Sequence, residues 1–194
     1  PGQPPHLGYS PAVSGLNLNY NRVHFEWAKA GDGYDITMDA PSNTLRPAVR
    51  MARMGIVSRQ GPVYTYADGG VSDEWTVARG ALGDGGSRWL PVRKPELYAG
   101  EVFQALAECR GVKLPAPEIV LERPEGDTLA RRESGKLVQI LHDMLKYSTN
   151  LTAEIVGQTA TRVRTGMVTS LETSAAAMNA WAREELGLVN VALV

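Results

Sequence analysis

The chain has 194 residues, of which 43% are apolar, so it is long enough to bury a hydrophobic core as one domain or two small ones. Its 20 basic and 21 acidic side chains give a formal net charge of -1 without long blocks of like charge, which argues against nucleic acid and anionic membranes as partners. It contains one cysteine, three scattered histidines and no apolar run of the roughly 20 residues that span a bilayer, so we expect no disulfide, metal site, cofactor or membrane span.

The first half of the chain alternates apolar and polar residues, which is typical of strands with one buried face. Two runs have apolar residues at every second position: Leu16, Leu18 and Tyr20, and then Val23, Phe25 and Trp27. Turn signals rich in glycine and aspartate follow at residues 30–35, 67–70 and 83–87. These patterns predict a mainly β unit, and the change in composition near Arg93 predicts domains of residues 1–92 and 93–194.

The second half has the period of helices, beginning at Pro95, a residue that suits a first helical turn. Gly111 is a suitable terminator for this helix. The side chains predicted to share its buried face are Tyr98, Val102, Phe103, Leu106 and Cys109. A short strand is then predicted over Glu118 to Leu121.

Three more helices are predicted downstream. Ser134 is the expected N-cap of the first, whose apolar side comprises Leu137, Ile140, Leu141, Met144 and Leu145. The second is expected over Leu151 to about Arg164. A capping box at residues 169–172, beginning with Thr169, predicts a third that extends to Leu186 and ends at Gly187. The last segment, LVNVALV, is apolar and β-branched and predicts a buried strand.

A polar stretch, KYSTNLTAE at residues 146–154, falls between two of these helices. In acyl transfer, a hydroxyl such as that of Ser148 can relay a proton to a leaving amine, and an amide such as Asn150 can hydrogen-bond a substrate. Serine, threonine and asparagine are also the preferred N-caps of helices. Taken alone, Ser148, Thr149 and Asn150 favour the capping interpretation.

The residues around this stretch resemble the second active-site motif of the penicillin-binding D-alanyl-D-alanine carboxypeptidases of peptidase family S13. The family pattern is a helix ending in Lys-Tyr-Ser-x-Asn-Leu, followed by a small residue and Glu. Its counterparts here are Lys146, Tyr147, Ser148, Asn150, Leu151, Ala153 and Glu154. The stretches SGLNLNYNRVHFEW, RWLPVRKPELYAGEVFQAL and GVKL resemble other family segments in the same order.

The resemblance implies an α+β fold, with part of an inserted mainly β domain in residues 1–92 and a partial transpeptidase-like domain, related to serine β-lactamases, in residues 93–194. It also implies a three-part site of Ser-x-x-Lys, Ser-x-Asn and Lys-[Ser/Thr]-Gly. By the same resemblance, Ser148 would join the proton relay to the leaving D-alanine, and Asn150 with Thr149 would contact the substrate. The implied partners are peptidoglycan stem peptides ending in D-Ala-D-Ala, and β-lactams, in the periplasm.

The sequence departs from this pattern at two of its three motifs. No serine is followed by lysine three residues later, and residues 164–166, Arg-Thr-Gly, are better interpreted as a helix end with a glycine stop. We therefore expect an internal fragment of a longer secreted precursor, inactive by itself and able to form homo-oligomers through an exposed sheet edge. The alternative is a complete, non-catalytic module that binds peptidoglycan or a partner protein.

Overall fold

A computed structural model describes residues 6–8, 12–120, 122, 125–167, 170–190 and 192. It combines strands and helices, so the predicted α+β fold class is confirmed. The chain divides into two compact units, Pro1–Arg131 and Arg132–Val194. The described part of the first unit contains the strands, two short 3-10 helices and one α-helix, and the described part of the second contains three α-helices.

The strands of the first unit form two three-stranded sheets. They are β1 (Arg22–Ala30), β2 (Gly33–Asp39), β3 (Ala52–Val57), β4 (Tyr64–Asp68), β5 (Asp73–Ala78) and β6 (Gly85–Pro91). The first sheet has the order β2-β1-β6 and is antiparallel throughout. The second has the order β3-β5-β4, in which β3 pairs with β5 in parallel and β4 pairs with β5 antiparallel.

The predicted alternation over β1 is confirmed. Val23 and Phe25 are fully buried, and Trp27 packs against the same core while its indole N–H donates to the carbonyl of Leu82. The predicted turns at 30–35 and 67–70 are also confirmed, because they connect β1 to β2 and β4 to β5. Gly31, with a φ of 56°, supplies the left-handed residue that the first of these turns needs.

The strand predicted over Leu16 to Tyr20 is wrong. Asn19, Tyr20 and Asn21 have φ angles of 50°, 56° and 52°, and they form a tight left-handed turn that leads into β1. The buried side chain of Asn21 holds the turn by donating to the carbonyl of Ala12 at 2.8 Å and to Oδ1 of Asn17 at 2.6 Å. Asparagine side chains of this kind compete with the strand ladder for backbone partners.

Helix α1 (Pro95–Glu108) packs into the same core as the two sheets. Tyr98 is fully buried on the helix face that meets the strands, and its hydroxyl donates to the carbonyl of Arg22 at 3.0 Å. Burial raises the pKa of Tyr98 to about 12. Because of this packing, the compact unit extends to Arg131, beyond the change in composition near Arg93.

The predicted face of α1 is only partly correct. Tyr98 and Val102 are buried, whereas Phe103 is 66% exposed and Cys109 is exposed. The polar Glu101 occupies the buried position beside Val102. Its carboxylate accepts the backbone N–H groups of Arg50 at 2.6 Å and Met51 at 2.8 Å. The buried carboxylate of Glu101 therefore holds the chain segment before β3 against α1 through these two hydrogen bonds.

The strand predicted over Glu118 to Leu121 is also wrong where it can be checked. Residues 118–120 are exposed and have no regular secondary structure, and Leu121 lies outside the described residues. Pro115 and Pro117, just upstream, lack the N–H groups that a strand ladder would use. Residues 112–120 thus form an irregular connection after α1.

The second unit contains α2 (Leu137–Tyr147), α3 (Asn150–Thr165) and α4 (Leu171–Leu186). Gly166 ends α3 with a φ of 75°, so the interpretation of residues 164–166 as a helix end is confirmed. Gly187, with a φ of 65°, ends α4 as predicted. Helix α4 is capped by Ser170, whose hydroxyl accepts the N–H of Thr173; the predicted cap Thr169 lies outside the described residues.

Two further predictions for this unit are wrong. Ser134 does not cap α2, which begins at Leu137 after Lys136 and has no side-chain cap. The final segment is not a strand over residues 188–190, which are exposed and turn after Gly187; residues 191, 193 and 194 lie outside the described part. The β-branched composition favoured a strand, but in the described part of the chain no strand pairs with these residues.

We predict that Glu101→Ala destabilises the first unit, because it leaves two backbone N–H groups without their acceptors. Loss of hydrogen bonds to a buried charged group gives an expected decrease of about 2–4 kcal/mol in the free energy of unfolding. Urea unfolding followed by tryptophan fluorescence measures the change. Glu108→Ala, at an exposed position of the same helix, is the matched control and should change stability by less than about 0.5 kcal/mol. Equal effects of the two substitutions would contradict this role of Glu101.

Candidate active site

The Ser148-Thr149-Asn150 corner connects α2 to α3 within two residues. Ser148 closes α2 in the left-handed conformation, with φ 52° and ψ 51°, and its backbone N–H donates to the carbonyl of Met144. The N–H of Thr149 also donates to Met144, at 3.2 Å. Helix α3 then begins at Asn150 with Thr149 as its N-cap. The break between the two helices is therefore made by the left-handed Ser148 and the extended Thr149.

The conformation of Ser148 is strained. For a residue with a Cβ, the left-handed conformation is roughly 1–2 kcal/mol higher in free energy than the right-handed one. Glycine is therefore the usual residue at such helix ends. The other two helices of this unit do end on left-handed glycines, Gly166 and Gly187. Serine thus occupies a position where glycine is preferred, and strained residues of this kind concentrate at functional sites.

The hydroxyl groups of the corner are not used as helix caps. Thr149 holds the N-cap position, yet its side chain makes no capping hydrogen bond. Among the described residues, the hydroxyl of Ser148 has no hydrogen-bond partner either. Ser148 and Asn150 are exposed, and Thr149 is half-buried. Ser148 thus holds the C-cap position of α2 and Thr149 the N-cap position of α3, so the capping interpretation is confirmed for their positions, although the Thr149 side chain makes no capping hydrogen bond.

The groups beside the corner supply charge and an aromatic surface. The ammonium of Lys146 lies 5.3 Å from the centre of the Tyr147 ring, and Tyr147 is 64% exposed. His142 is exposed, and its Nδ1 lies 3.1 Å from Asp143 rather than against Ser148. Among the described residues, no base contacts the Ser148 hydroxyl, so the arrangement of an activated nucleophile is not seen at this corner.

Another cluster of ionisable groups lies in the first unit and is fully paired. Asp73 is completely buried and accepts the hydroxyl of Tyr66 at 3.1 Å and the backbone N–H of Arg93 at 2.8 Å. Lys94 lies 3.6 Å from Asp73 and 2.6 Å from Asp68, and its hydrogen bond lowers the pKa of Asp68. These contacts join the start of α1 to the β4–β5 turn, so the cluster has a structural role.

Neither a metal centre nor a membrane helix is found in the part of the chain that the structure describes. No group of three or more histidine, cysteine, aspartate or glutamate side chains is placed there to hold a metal ion. None of the described helices is both long enough and apolar enough to cross a bilayer.

Comparisons with known proteins relate the chain to a family of carboxypeptidases. A sequence model of the D-Ala-D-Ala carboxypeptidase 3 (S13) family matches residues 4–193. The crystal structure of penicillin-binding protein 4 from Haemophilus influenzae, complexed with a β-lactam, has a similar fold, with a TM-score of 0.68 and 13% sequence identity. The match covers 95% of this chain and 43% of that one, so the chain spans less than half of that relative. No curated protein sequence matches the chain.

We predict that Ser148→Gly stabilises the second unit by about 0.5–1 kcal/mol, because glycine removes the strain of the left-handed conformation. Urea unfolding followed by far-UV circular dichroism measures this shift. Ser134→Gly is the matched control: Ser134 is exposed, lies outside the helices and has no positive φ, so it should not gain stability. A loss of stability in Ser148→Gly would show that the conformation of Ser148 is not strained.

Proposed function

Because the chain belongs to the D-Ala-D-Ala carboxypeptidase 3 (S13) family, we propose that it forms one wall of the active site of a longer serine-type D-alanyl-D-alanine carboxypeptidase or endopeptidase. The observation that carries this proposal is the corner between α2 and α3. It presents the exposed side chain of Ser148 two residues before the exposed Asn150. This is the spacing of the Ser-x-Asn motif of acyl-transferring serine enzymes.

The proposed reaction assigns one task to each side chain of the corner. A serine outside these residues attacks the carbonyl carbon of the D-Ala-D-Ala peptide bond, so a C–O bond forms and the C–N bond breaks. The proton lost by that serine reaches the leaving amine through the hydroxyl of Ser148, which donates one proton and accepts another. Asn150 hydrogen-bonds the substrate amide, and Thr149 lies between them at the edge of the cleft. Water then hydrolyses the acyl-enzyme.

The 194 residues alone are proposed to be inactive. None of their serines has lysine three positions later, and the Arg164-Thr165-Gly166 stretch ends a helix instead of lying on a strand. The corner therefore lacks both the nucleophile and its base. We infer that these parts of the site come from the remainder of the protein.

The substrates and the location follow from the same proposal. Peptidoglycan stem peptides ending in D-Ala-D-Ala would be the natural substrates, β-lactams would acylate the same nucleophile, and the protein would work in the periplasm. In this proposal residues 1–92 belong to an inserted mainly β domain and residues 93–194 to the transpeptidase-like domain. Association of copies through a sheet edge stays a prediction.

A second candidate function is a non-catalytic module that binds peptidoglycan or a partner protein. The absence of a Ser-x-x-Lys serine from the sequence favours it. The reading frame that encodes these residues separates the two candidates. A start codon directly before Pro1 and a stop codon directly after Val194 would favour the binding module.

In the full-length enzyme, we expect Ser148→Ala to reduce turnover of a D-Ala-D-Ala peptide by about a hundredfold or more, because a positioned proton relay contributes at least that much. Release of D-alanine measures the rate. Ser134→Ala, at an exposed position outside the helices, should keep the wild-type rate. Wild-type turnover in Ser148→Ala would exclude this serine from the reaction.

The 194-residue chain, incubated with benzylpenicillin, should form no covalent adduct, because it lacks the acylated serine. Intact-mass spectrometry detects the penicilloyl group as a mass increase. The full-length protein under the same conditions is the positive control. An adduct on the 194-residue chain would mean that one of its own serines is the nucleophile.

A further inference from the structure

The first sheet carries an aromatic and cationic patch on its outer face, formed by Tyr20, Arg22, His24 and Trp89. Along β1, Arg22 and His24 alternate with the fully buried Val23, so they lie on the face away from the core. His24 pairs directly with Trp89 of β6, which places that ring on the same face. Neither Tyr20 nor Trp89 is among the described residues that form or pack against the hydrophobic core. Core packing therefore does not explain the two rings.

Arg22 is held in this patch by its aromatic neighbours. Its guanidinium carbon lies 5.4 Å from the centre of the Tyr20 ring and 5.4 Å from the centre of the Trp89 ring, within the range of cation–π attraction. Its Nε is buried and has no acceptor among the described residues. The guanidinium is therefore positioned before a ligand arrives, and its terminal Nη groups are the end that a ligand can reach.

The acidic side chains on the same face are paired with a different arginine. Arg46 donates from Nε to Asp39 at 2.9 Å and from Nη2 to Glu26 at 2.7 Å. The hydrogen bond from Arg46 lowers the pKa of Glu26. Within the described part of the chain, no carboxylate forms an ion pair with Arg22. Arg22 thus keeps a positive charge that its neighbours do not compensate.

The backbone of Tyr20 indicates that the patch has a function. Its φ of 56° and ψ of 31° lie in the left-handed region, which a bulky residue rarely adopts. The side chain is 55% exposed, so burial in the core does not offset the cost of this conformation. Strained residues concentrate at functional sites, and the strained conformation here holds an aromatic ring against Arg22.

A carboxylate suits this patch better than a phosphate does. The two Nη groups of one guanidinium can bind one carboxylate as a bidentate pair. A doubly charged phosphate on this face would be repelled more strongly by the nearby carboxylates of Asp39 and Glu26. The exposed part of the Tyr20 ring offers a surface to a small apolar group beside the carboxylate, such as the methyl group of alanine.

We propose that this patch is a second, non-catalytic binding site for a peptide carboxylate, and that its ligand is the D-alanyl end of a peptidoglycan stem peptide. Arg22 binds the terminal carboxylate, and the Tyr20 ring contacts the methyl group of the last alanine. The identity of the peptide rests on the proposed function, whereas the carboxylate chemistry rests on the patch itself. The site holds a second peptide of the polymer on the protein, apart from the one at the Ser148 corner.

An NMR titration of the 194-residue chain tests the site by following the indole N–H signal of Trp89. The probes are N-acetyl-D-alanyl-D-alanine, its C-terminal amide and inorganic phosphate. Arg22→Gln removes the proposed ligand of the carboxylate, and Arg22→Lys keeps the charge without the planar fork. Arg110→Gln is the matched control, because it removes the same charge at an exposed position after α1.

The acid should shift the Trp89 signal with a saturable curve. The amide, and the acid with Arg22→Gln, should bind at least about tenfold more weakly, because a charged hydrogen-bonded pair is lost. Arg22→Lys should weaken binding of the acid by about threefold or more, since it loses one of two hydrogen bonds. Arg110→Gln should bind as the unchanged chain does.

Equal binding of acid and amide would overturn the proposal, as would unchanged binding in Arg22→Gln, tighter binding of phosphate than of the acid, or shifts confined to the Ser148 corner. Release of D-alanine by the full-length enzyme separates this inference from the proposed function. If D-alanine is released but Trp89 does not respond to the acid, the second site is wrong and the proposed function stands. If Trp89 responds but no D-alanine is released, the carboxylate site stands and the proposed function is wrong.

Discussion

The left-handed backbone of Ser148 is the constraint on which the candidate site depends. Because Ser148 is left-handed and Thr149 is extended, α2 ends and α3 begins within two residues, and neither helix continues across the corner. A right-handed residue there would extend α2 and carry the following hydroxyl and amide to other faces of a longer helix. The backbone N–H groups of Ser148 and Thr149 both donate to the carbonyl of Met144, and these hydrogen bonds offset the free-energy cost of the left-handed conformation. The hydroxyl of Ser148 lies on an exposed side chain in this conformation.

The two units reach stability by different means. The first unit has a continuous hydrophobic core between its sheets and α1. Outside the sheets, buried polar side chains position the connecting segments through hydrogen bonds to the backbone. Asn21 fixes the turn before β1, Asp73 fixes the start of α1, and Glu101 fixes the approach to β3. The second has α3 and α4 in close contact but few buried side chains, and its apolar surface faces a groove.

The parts of the fold that the sequence predicted correctly are those set by local patterns. Alternation fixed the buried face of β1, Pro95 marked the start of α1, and Gly166 and Gly187 marked the ends of α3 and α4. The failures occurred where distant contacts decide. Leu16 to Tyr20 has the apolar period of a strand, but the hydrogen bonds of the Asn21 side chain hold this segment in a turn. Glu101 is buried because its carboxylate accepts backbone N–H groups about fifty positions away in sequence. The motif at Ser148 was visible in the sequence, whereas its left-handed backbone was not, because glycine is the usual residue in that conformation.

The central claim is that Ser148 and Asn150 face the reacting serine of a longer enzyme. The most direct measurement is a crystal structure of the full-length protein acylated by a β-lactam. The account predicts that the Ser148 hydroxyl lies within hydrogen-bonding reach of the acylated serine or of the β-lactam nitrogen, at about 2.6–3.2 Å, and that Asn150 bonds the side-chain amide of the β-lactam. A bound β-lactam whose acylated serine lies far from both residues, with no water between them, would contradict it.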